Sequence, residues 1–259
     1  MLLEGMVAIV TGSGRGIGRG IALKLAENGA KVVVNGVTPE MINETVKLIR
    51  DEGNEAIGIR ADVTQAKEVE AMVEKTLETY SRVDILVNNA AVLRDAMFHK
   101  MTEEQWDIVI DTHLKGCFLC SRAAAPHMRK NGYGRIINIS SGGGYAGNVG
   151  MINYVSAKAG MYGFTMALAK ELARWVRKDG ADLTCNCINP GFNKTRMIDG
   201  IPEAVVKKFI EEIPLRRVSD PREDMGNAVA FLASKDASYI TGTIMSVGGG
   251  ILRGLARHI

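Results

Sequence analysis

Within the first 90 residues, short apolar runs rich in β-branched side chains alternate with stretches of helical periodicity. The runs fall at 6–10, 31–35, 55–60 and 83–87, and helical patterns follow the first three, the later two over 39–52 and 66–80. Connections this short, with a helix between successive strands, force the strands to run parallel and the helices to cover both faces. The chain is therefore expected to be α/β, with a Rossmann-type doubly wound parallel sheet. Further strands are expected at 135–141, 183–188 and 243–247. Helices are expected within 103–130, from 154 to about 176, and over 223–233. No linker or internal repeat interrupts the pattern, so residues 1–259 read as a single domain.

The first strand ends in Thr11-Gly12-Ser13-Gly14-Arg15-Gly16-Ile17-Gly18 and then enters a helix. A glycine-rich strand-to-helix turn brings backbone N–H groups close to a pyrophosphate at the positive helix end. Its G-x-x-x-G-x-G spacing differs from the commoner G-x-G-x-x-G, but the strand-to-helix context supports the reading. An acid about 20 residues beyond such a turn would bind a ribose 2′-hydroxyl and favour NAD. Here the second strand ends in Asn35, Gly36, Val37 and Thr38, while Arg15 in the loop can meet a 2′-phosphate. NADP(H) is thus the cofactor expected, with NAD(H) the alternative if Arg15 is merely solvated. Asp62, just past the third strand, can hold an adenine amino group or cap the next helix.

Tyr154 and Lys158 form an i, i+4 pair, so on a helix they share one face. An ammonium there favours the phenolate and draws a group of ordinary pKa about 10 towards working pH. Ser141, at the end of the strand Arg135–Ser141, can hold a carbonyl oxygen while Tyr154 gives or takes its proton. By the switch-point rule the glycine turn, Asn88-Asn89 and Ser141 all reach the ligand edge of the sheet. The set suits alcohol–carbonyl interconversion by a hydride carrier.

Composition narrows the partners. The formal charge is only +3, with no basic-aromatic patch, so nucleic acid is not implied. No apolar run reaches the roughly 18 residues of a membrane span. Cys117, Cys120, Cys185 and Cys187 read as buried reduced thiols rather than a disulfide framework or a redox pair. The N-terminus enters a strand without a basic leader, so the expected location is cytoplasmic. No His, Cys or carboxylate cluster has metal-ligand spacing, and no G-x-S-x-G elbow suggests a hydrolase.

The ordered pieces TGSGRGIG, DVT, NNAA, ISS, YVSAK, NPG and TG…SVGGG together resemble the short-chain dehydrogenase/reductase family over nearly the whole chain. The resemblance implies Ser141, Tyr154 and Lys158 as the catalytic set. It also implies Gly12, Gly16 and Gly18 around the cofactor phosphates, Asp62 and Val63 at the adenine, and Asn89 and Ala90 along the cofactor. Pro190, Gly191 and Thr195 would hold the nicotinamide carboxamide. Ser13, Ile17 and Asn35 complete the expected cofactor contacts. Family members commonly form tetramers through the two long helices, so a homotetramer is implied.

Three positions depart from the family pattern. His113, in Asp111–Gly116, stands where the family usually places a catalytic Asn. Its imidazole can hydrogen-bond a backbone group or a water in a proton relay, or it is a helix residue without a role. Ala91 replaces the glycine of NNAG, and the stretch from Trp175 to Leu183 is a few residues longer than usual.

Within the family, NNAAVLRDAMFHKMTEEQWD and GNVGMINYVSAKAG resemble 3-oxoacyl-thioester reductases, and HLKG resembles (3R)-hydroxyacyl-CoA dehydrogenases. Both imply an acyl-thioester substrate. Arg129, Lys130, Arg174 and Arg177 could receive an acidic carrier or a nucleotide phosphate, or be solvated. The segment 192–216, with Ile201, Val205 and Phe209 at i+4 spacing, reads as a substrate lid or as core packing. The alternatives are an NAD-dependent dehydrogenase of a cyclic, aromatic, sugar or steroid alcohol, and a dinucleotide-binding regulator or scaffold without turnover.

Overall fold

A computed structural model describes residues 1–193 and 203–251, with the backbone alone for 203–205. Seven parallel strands form one sheet in the order β3-β2-β1-β4-β5-β6-β7. They are β1 (Val7–Val10), β2 (Lys31–Gly36), β3 (Ala56–Arg60), β4 (Ile85–Asn88), β5 (Tyr133–Ile139), β6 (Asp182–Pro190) and β7 (Ile244–Val247). The first crossovers are α1 (Gly16–Glu27), α2 (Pro39–Asp51) and α3 (Ala66–Tyr80). Next come α4 (Glu103–Ile110), α5 (Gly116–Asn131), the one-turn α6 (Gly143–Ala146) and α7 (Ile152–Asp179). The last two helices are α8 (Glu203–Glu212) and α9 (Asn227–Ala233).

Strand side chains alternate between two cores, as period-2 geometry requires of a sheet covered on both faces. Ala8, Val10, Val32, Val34, Ile85, Val87 and Ile137 pack beneath α1, α2 and α9. Ile9, Val33, Leu86 and Ile136 face α3, α5 and α7 on the other side. Winding reverses between β1 and β4, whose Val10 and Val87 are direct partners. That reversal opens the crevice in which such sheets bind ligands.

Two boundaries differ from expectation for physical reasons. The segment 103–130 is neither one helix nor two separated ones. A π turn over Asp111–Lys115 joins α4 to α5 and carries His113 on its widened coil. The extra length after Trp175 is helical, since α7 continues to Asp179 and ends on left-handed Gly180 (φ 71°). No helix among the described residues is long and apolar enough to cross a membrane. All four cysteines are free and buried.

Candidate active site

The glycine turn fits a dinucleotide phosphate. Gly12 (φ 62°) and Gly16 (φ 57°) are left-handed, and a Cβ on Gly12 would lie 2.7 Å from Ala90 Cα. A Cβ on Gly18 would lie 2.4 Å from Asn89 Nδ2. α1 begins with no side-chain cap and no acid in its first turn, whereas α2 and α3 carry Glu40 and Glu68 there. Its first N–H groups are left for an anion.

Several residues expected at the cofactor also build this cradle. Ser13 is buried; its hydroxyl donates to the Val10 carbonyl (2.6 Å) and accepts from Asn35 N–H (3.0 Å). Asn35 is also fully buried, and its Nδ2 donates to the carbonyls of Ile59 (3.2 Å) and Ala61 (3.1 Å). Both side chains are thereby committed to the strand ends that frame the glycine turn. Asn35 clamps β2 to β3 because an amide satisfies carbonyls that the strand end leaves over. Asn89 Nδ2 braces the turn through the carbonyls of Thr11 (2.9 Å) and Gly12 (3.1 Å). Thr11 Oγ1 accepts from the N–H groups of Asn89 (2.9 Å) and Ala90 (3.0 Å), a role its place before the glycines did not reveal.

Ile17 packs partly buried on the core. Asp62 Oδ1 accepts from Thr64 N–H (2.9 Å) and closes a turn, and Val63 is buried beside Gly116. Arg15 is exposed at the start of α1. Gly191 crosses Gly248 so closely that a Cβ would come within 2.5 Å of its Cα. Thr195 and Ile201 lie outside the described residues, as does the Val205 side chain. Phe192 packs on Phe209 across the expected lid, with ring centroids 5.3 Å apart.

Ser141, Tyr154 and Lys158 come together as their spacing predicts. Ser141 follows β5, and its hydroxyl accepts from Gly143 N–H (3.1 Å) and stands close enough to the Tyr154 phenol to act on its ionisation. Lys158 is 3% exposed and donates from Nζ to the Ile139 carbonyl (2.7 Å). Nζ lies 5.7 Å from the centroid of the Tyr154 ring. The expected lowering of the Tyr154 pKa is not the net result. Burial raises it, the nearby Ser141 hydroxyl opposes, and the Asp95 charge adds to the rise. The lysine meets the ring's face, and its own pKa is pushed down to about 8 by burial. Asn153, unanticipated, is fully buried. It accepts from Tyr154 N–H (2.7 Å) and donates to the carbonyls of Arg94 (3.0 Å) and Gln105 (2.9 Å). It thereby fixes the start of α7.

His113 packs edge-on to Tyr154, with ring centroids 5.3 Å apart. Burial first, then the Lys158 charge, pushes its pKa down to about 3, so it is neutral at working pH. Nε2 lies 3.0 Å from Val92 N and 2.9 Å from Val92 O, and Nδ1 is buried without a partner. One nitrogen cannot serve both backbone groups, because a neutral imidazole nitrogen either donates or accepts. An amide could serve both. His113→Asn is therefore expected to keep or raise turnover, and His113→Ala to lower it about tenfold by freeing Val92. Steady-state rates with melting temperatures check this; equal turnover in all three proteins would remove His113 from the site.

The chain matches a family profile described as "Enoyl-(Acyl carrier protein) reductase" over residues 12–252. It belongs to the short-chain dehydrogenase/reductase family. This short-chain dehydrogenase/reductase is 42% identical over 245 residues to a 3-oxoacyl-(acyl-carrier-protein) reductase of Staphylococcus aureus, covering 94% of this chain and 97% of that one. It is 39% identical over 250 residues to the (2S)-[(R)-hydroxy(phenyl)methyl]succinyl-CoA dehydrogenase subunit of Thauera aromatica, covering 96% and 98%. A solved structure described as a short-chain alcohol dehydrogenase of Sinorhizobium meliloti superposes with a TM-score of 0.90 at 36% identity, covering 96% and 97%. The chain is thus an oxidoreductase acting on CH–OH and C=O groups.

The basic residues proposed for a carrier stand far from this site. Arg174 is twenty positions beyond Tyr154 on α7, roughly 30 Å along the helix. Arg129 is paired with Asp179 (2.5 Å) and covers the Trp175 ring. In a single chain they do not flank the reacting groups.

Proposed function

We propose that this enzyme reduces 3-oxoacyl thioesters to 3-hydroxyacyl thioesters with NADPH. The carrying observation is the convergence of Ser141, Tyr154 and buried Lys158, whose Nζ lies 5.7 Å from the centroid of the phenol ring. Ser141 holds the ketone oxygen, and Tyr154, an uncharged phenol at neutral pH, passes its proton to that oxygen as it becomes an alkoxide. Lys158 supplies positive charge under the phenol as it ionises. Pro190 and Gly191 would hold the nicotinamide, which would supply the hydride when bound. His113 acts by holding Val92 against the site.

Arg15 meets the 2′-phosphate, and no acid at Asn35–Thr38 repels it. The thioester assignment draws on the similar S. aureus and T. aromatica proteins, whose names specify an acyl-carrier-protein and a CoA substrate. Exposed Phe118 on α5 and Met166 on α7 suit assembly into a homotetramer through those helices. The described ends of the segment 192–216, where Phe192 packs on Phe209, suit an apolar cover over the substrate.

Initial rates with acetoacetyl-CoA and each reduced cofactor test the reading. Turnover is expected to be faster with NADPH, and Arg15→Ala is expected to weaken NADPH binding about tenfold more than NADH binding. Equal weakening would refute the role of Arg15. Absence of turnover from protein that binds cofactor would refute the thioester substrate.

A further inference from the structure

On β6, Cys185, Cys187 and Asn189 share one face, because strand side chains alternate. Cys187 feels the Lys158 charge, so this face looks onto the catalytic helix. Asn189 lies two residues farther on, about 7 Å nearer the ligand edge. It is 3% exposed, yet neither Nδ2 nor Oδ1 has a partner at full hydrogen-bond geometry. A buried amide left so is unfavourable for each unmet group, which makes it a candidate for a ligand contact.

Two phenols interact with it, those of Tyr145 and Tyr162. Tyr162 is committed, since its hydroxyl donates to the Ser141 carbonyl (2.5 Å). Tyr145 stacks on Tyr162 with centroids 4.5 Å apart and planes 20° from parallel, and it is 52% exposed. The helix α6 that carries Tyr145 is pinned to the same carbonyl by Gly144 N–H (3.0 Å). A Cβ on Gly144 would lie 2.7 Å from the Tyr162 hydroxyl, so only glycine lets α6 settle there. Ser141, Tyr145 and Asn189 are therefore held in one wall beside the reacting carbonyl.

We propose that Asn189 and Tyr145 are specificity-determining residues that hydrogen-bond a second carbonyl oxygen on the substrate. Resting on the reading above, that oxygen is the C1 carbonyl of a 3-oxoacyl thioester, one methylene away from the reacting C3 ketone. A carbonyl accepts only, and Asn189 Nδ2 and the Tyr145 hydroxyl are donors. A site built to hydrogen-bond a substrate group discriminates against the analogue lacking it.

The test compares acetoacetyl-CoA with S-(3-oxobutyl)-CoA, a thioether that keeps CoA and the ketone and replaces the C1 carbonyl by CH2. The comparison cancels intrinsic ketone reactivity when each variant is set against wild type. Asn189→Ala is expected to lower kcat/KM for acetoacetyl-CoA about tenfold more than for the thioether. Tyr145→Phe, which removes one hydroxyl from a half-exposed ring, should give about a threefold difference. Equal factors for both substrates in both variants would overturn the assignment while leaving thioester reduction standing. A wild-type enzyme that binds NADPH and reduces neither compound would overturn both.

Discussion

Replacing Tyr154 by phenylalanine is expected to lower ketone reduction by about a hundredfold to ten-thousandfold, the usual worth of a positioned general acid. Binding of reduced cofactor should change by less than about twofold, since the substitution removes one hydroxyl and leaves the ring against His113. The direction of the Tyr154 shift sharpens the expectation. Burial, with Asp95, keeps the phenol protonated at neutral pH, so a proton is in place for reduction. A secondary alkoxide is far more basic than a phenolate, so a raised pKa does not obstruct the transfer. Alcohol oxidation needs the phenolate and should therefore rise towards alkaline pH. Turnover numbers and cofactor titrations on the same preparations decide the matter, and a loss smaller than about tenfold would remove Tyr154 from the chemistry. A dinucleotide-binding scaffold would lose nothing.

Lys158→Met is expected to abolish turnover and yet to stabilise the protein free of cofactor. In the unfolded chain this lysine holds its proton up to about 10.5, and in the folded chain only up to about 8. Below pH 8 the fold therefore bears the cost of a buried ammonium, on the order of 3 kcal/mol. The variant loses the bond to the Ile139 carbonyl, worth about 1 kcal/mol, which leaves a net gain of about 2. For a chain of this size that is roughly 4–8 °C in Tm. Between pH 8 and 10.5 the unfolded state binds more protons than the native state, so wild-type stability rises with pH through this group. The gap between variant and wild type should close over that window. Melting curves from pH 6 to 10 measure it, and a constant gap would show that Lys158 is not strained by burial.

Much of this arrangement was legible in the chain. Period-2 runs alternating with helical ones specify a parallel sheet, and the reversal between β1 and β4 brings the strand ends to one edge. Tyr154 and Lys158 were readable because the i, i+4 relation is local, and Ser141 because it ends a strand. What escaped depends on where long or branched polar side chains turn. Lys158 could have reached towards the phenol oxygen, but it bonds a strand carbonyl that no local pattern names. Ser13 and Asn35 stand where ligand contacts are expected, and the hydrogen bonds by which they also satisfy each other and β3 had no signal in the local pattern. Asn153 and Asn189 resemble ordinary polar neighbours of a motif until their burial is known.

Asn88, Ser121, Asn138, Thr165 and Cys117 form a buried polar chain. Asn138 accepts from Asn88 Nδ2 (2.9 Å) and Cys117 Sγ (3.1 Å) and donates to Thr165 Oγ1 (2.9 Å), while Asn88 also reaches Ser121 (3.1 Å). One amide thus reads the positions of β4, α5 and α7 simultaneously. Because each member would leave the others unmet, this junction resists piecemeal change. Variation is channelled outward to the loops Arg94–Met101 and Gly142–Asn153, which form a rim joined by the Ala96 N–H to Gly150 carbonyl bond (2.9 Å). New substrates can be accepted by altering that rim while the proton-transfer groups keep their registration, so divergence in what the enzyme recognises need not disturb how it reacts.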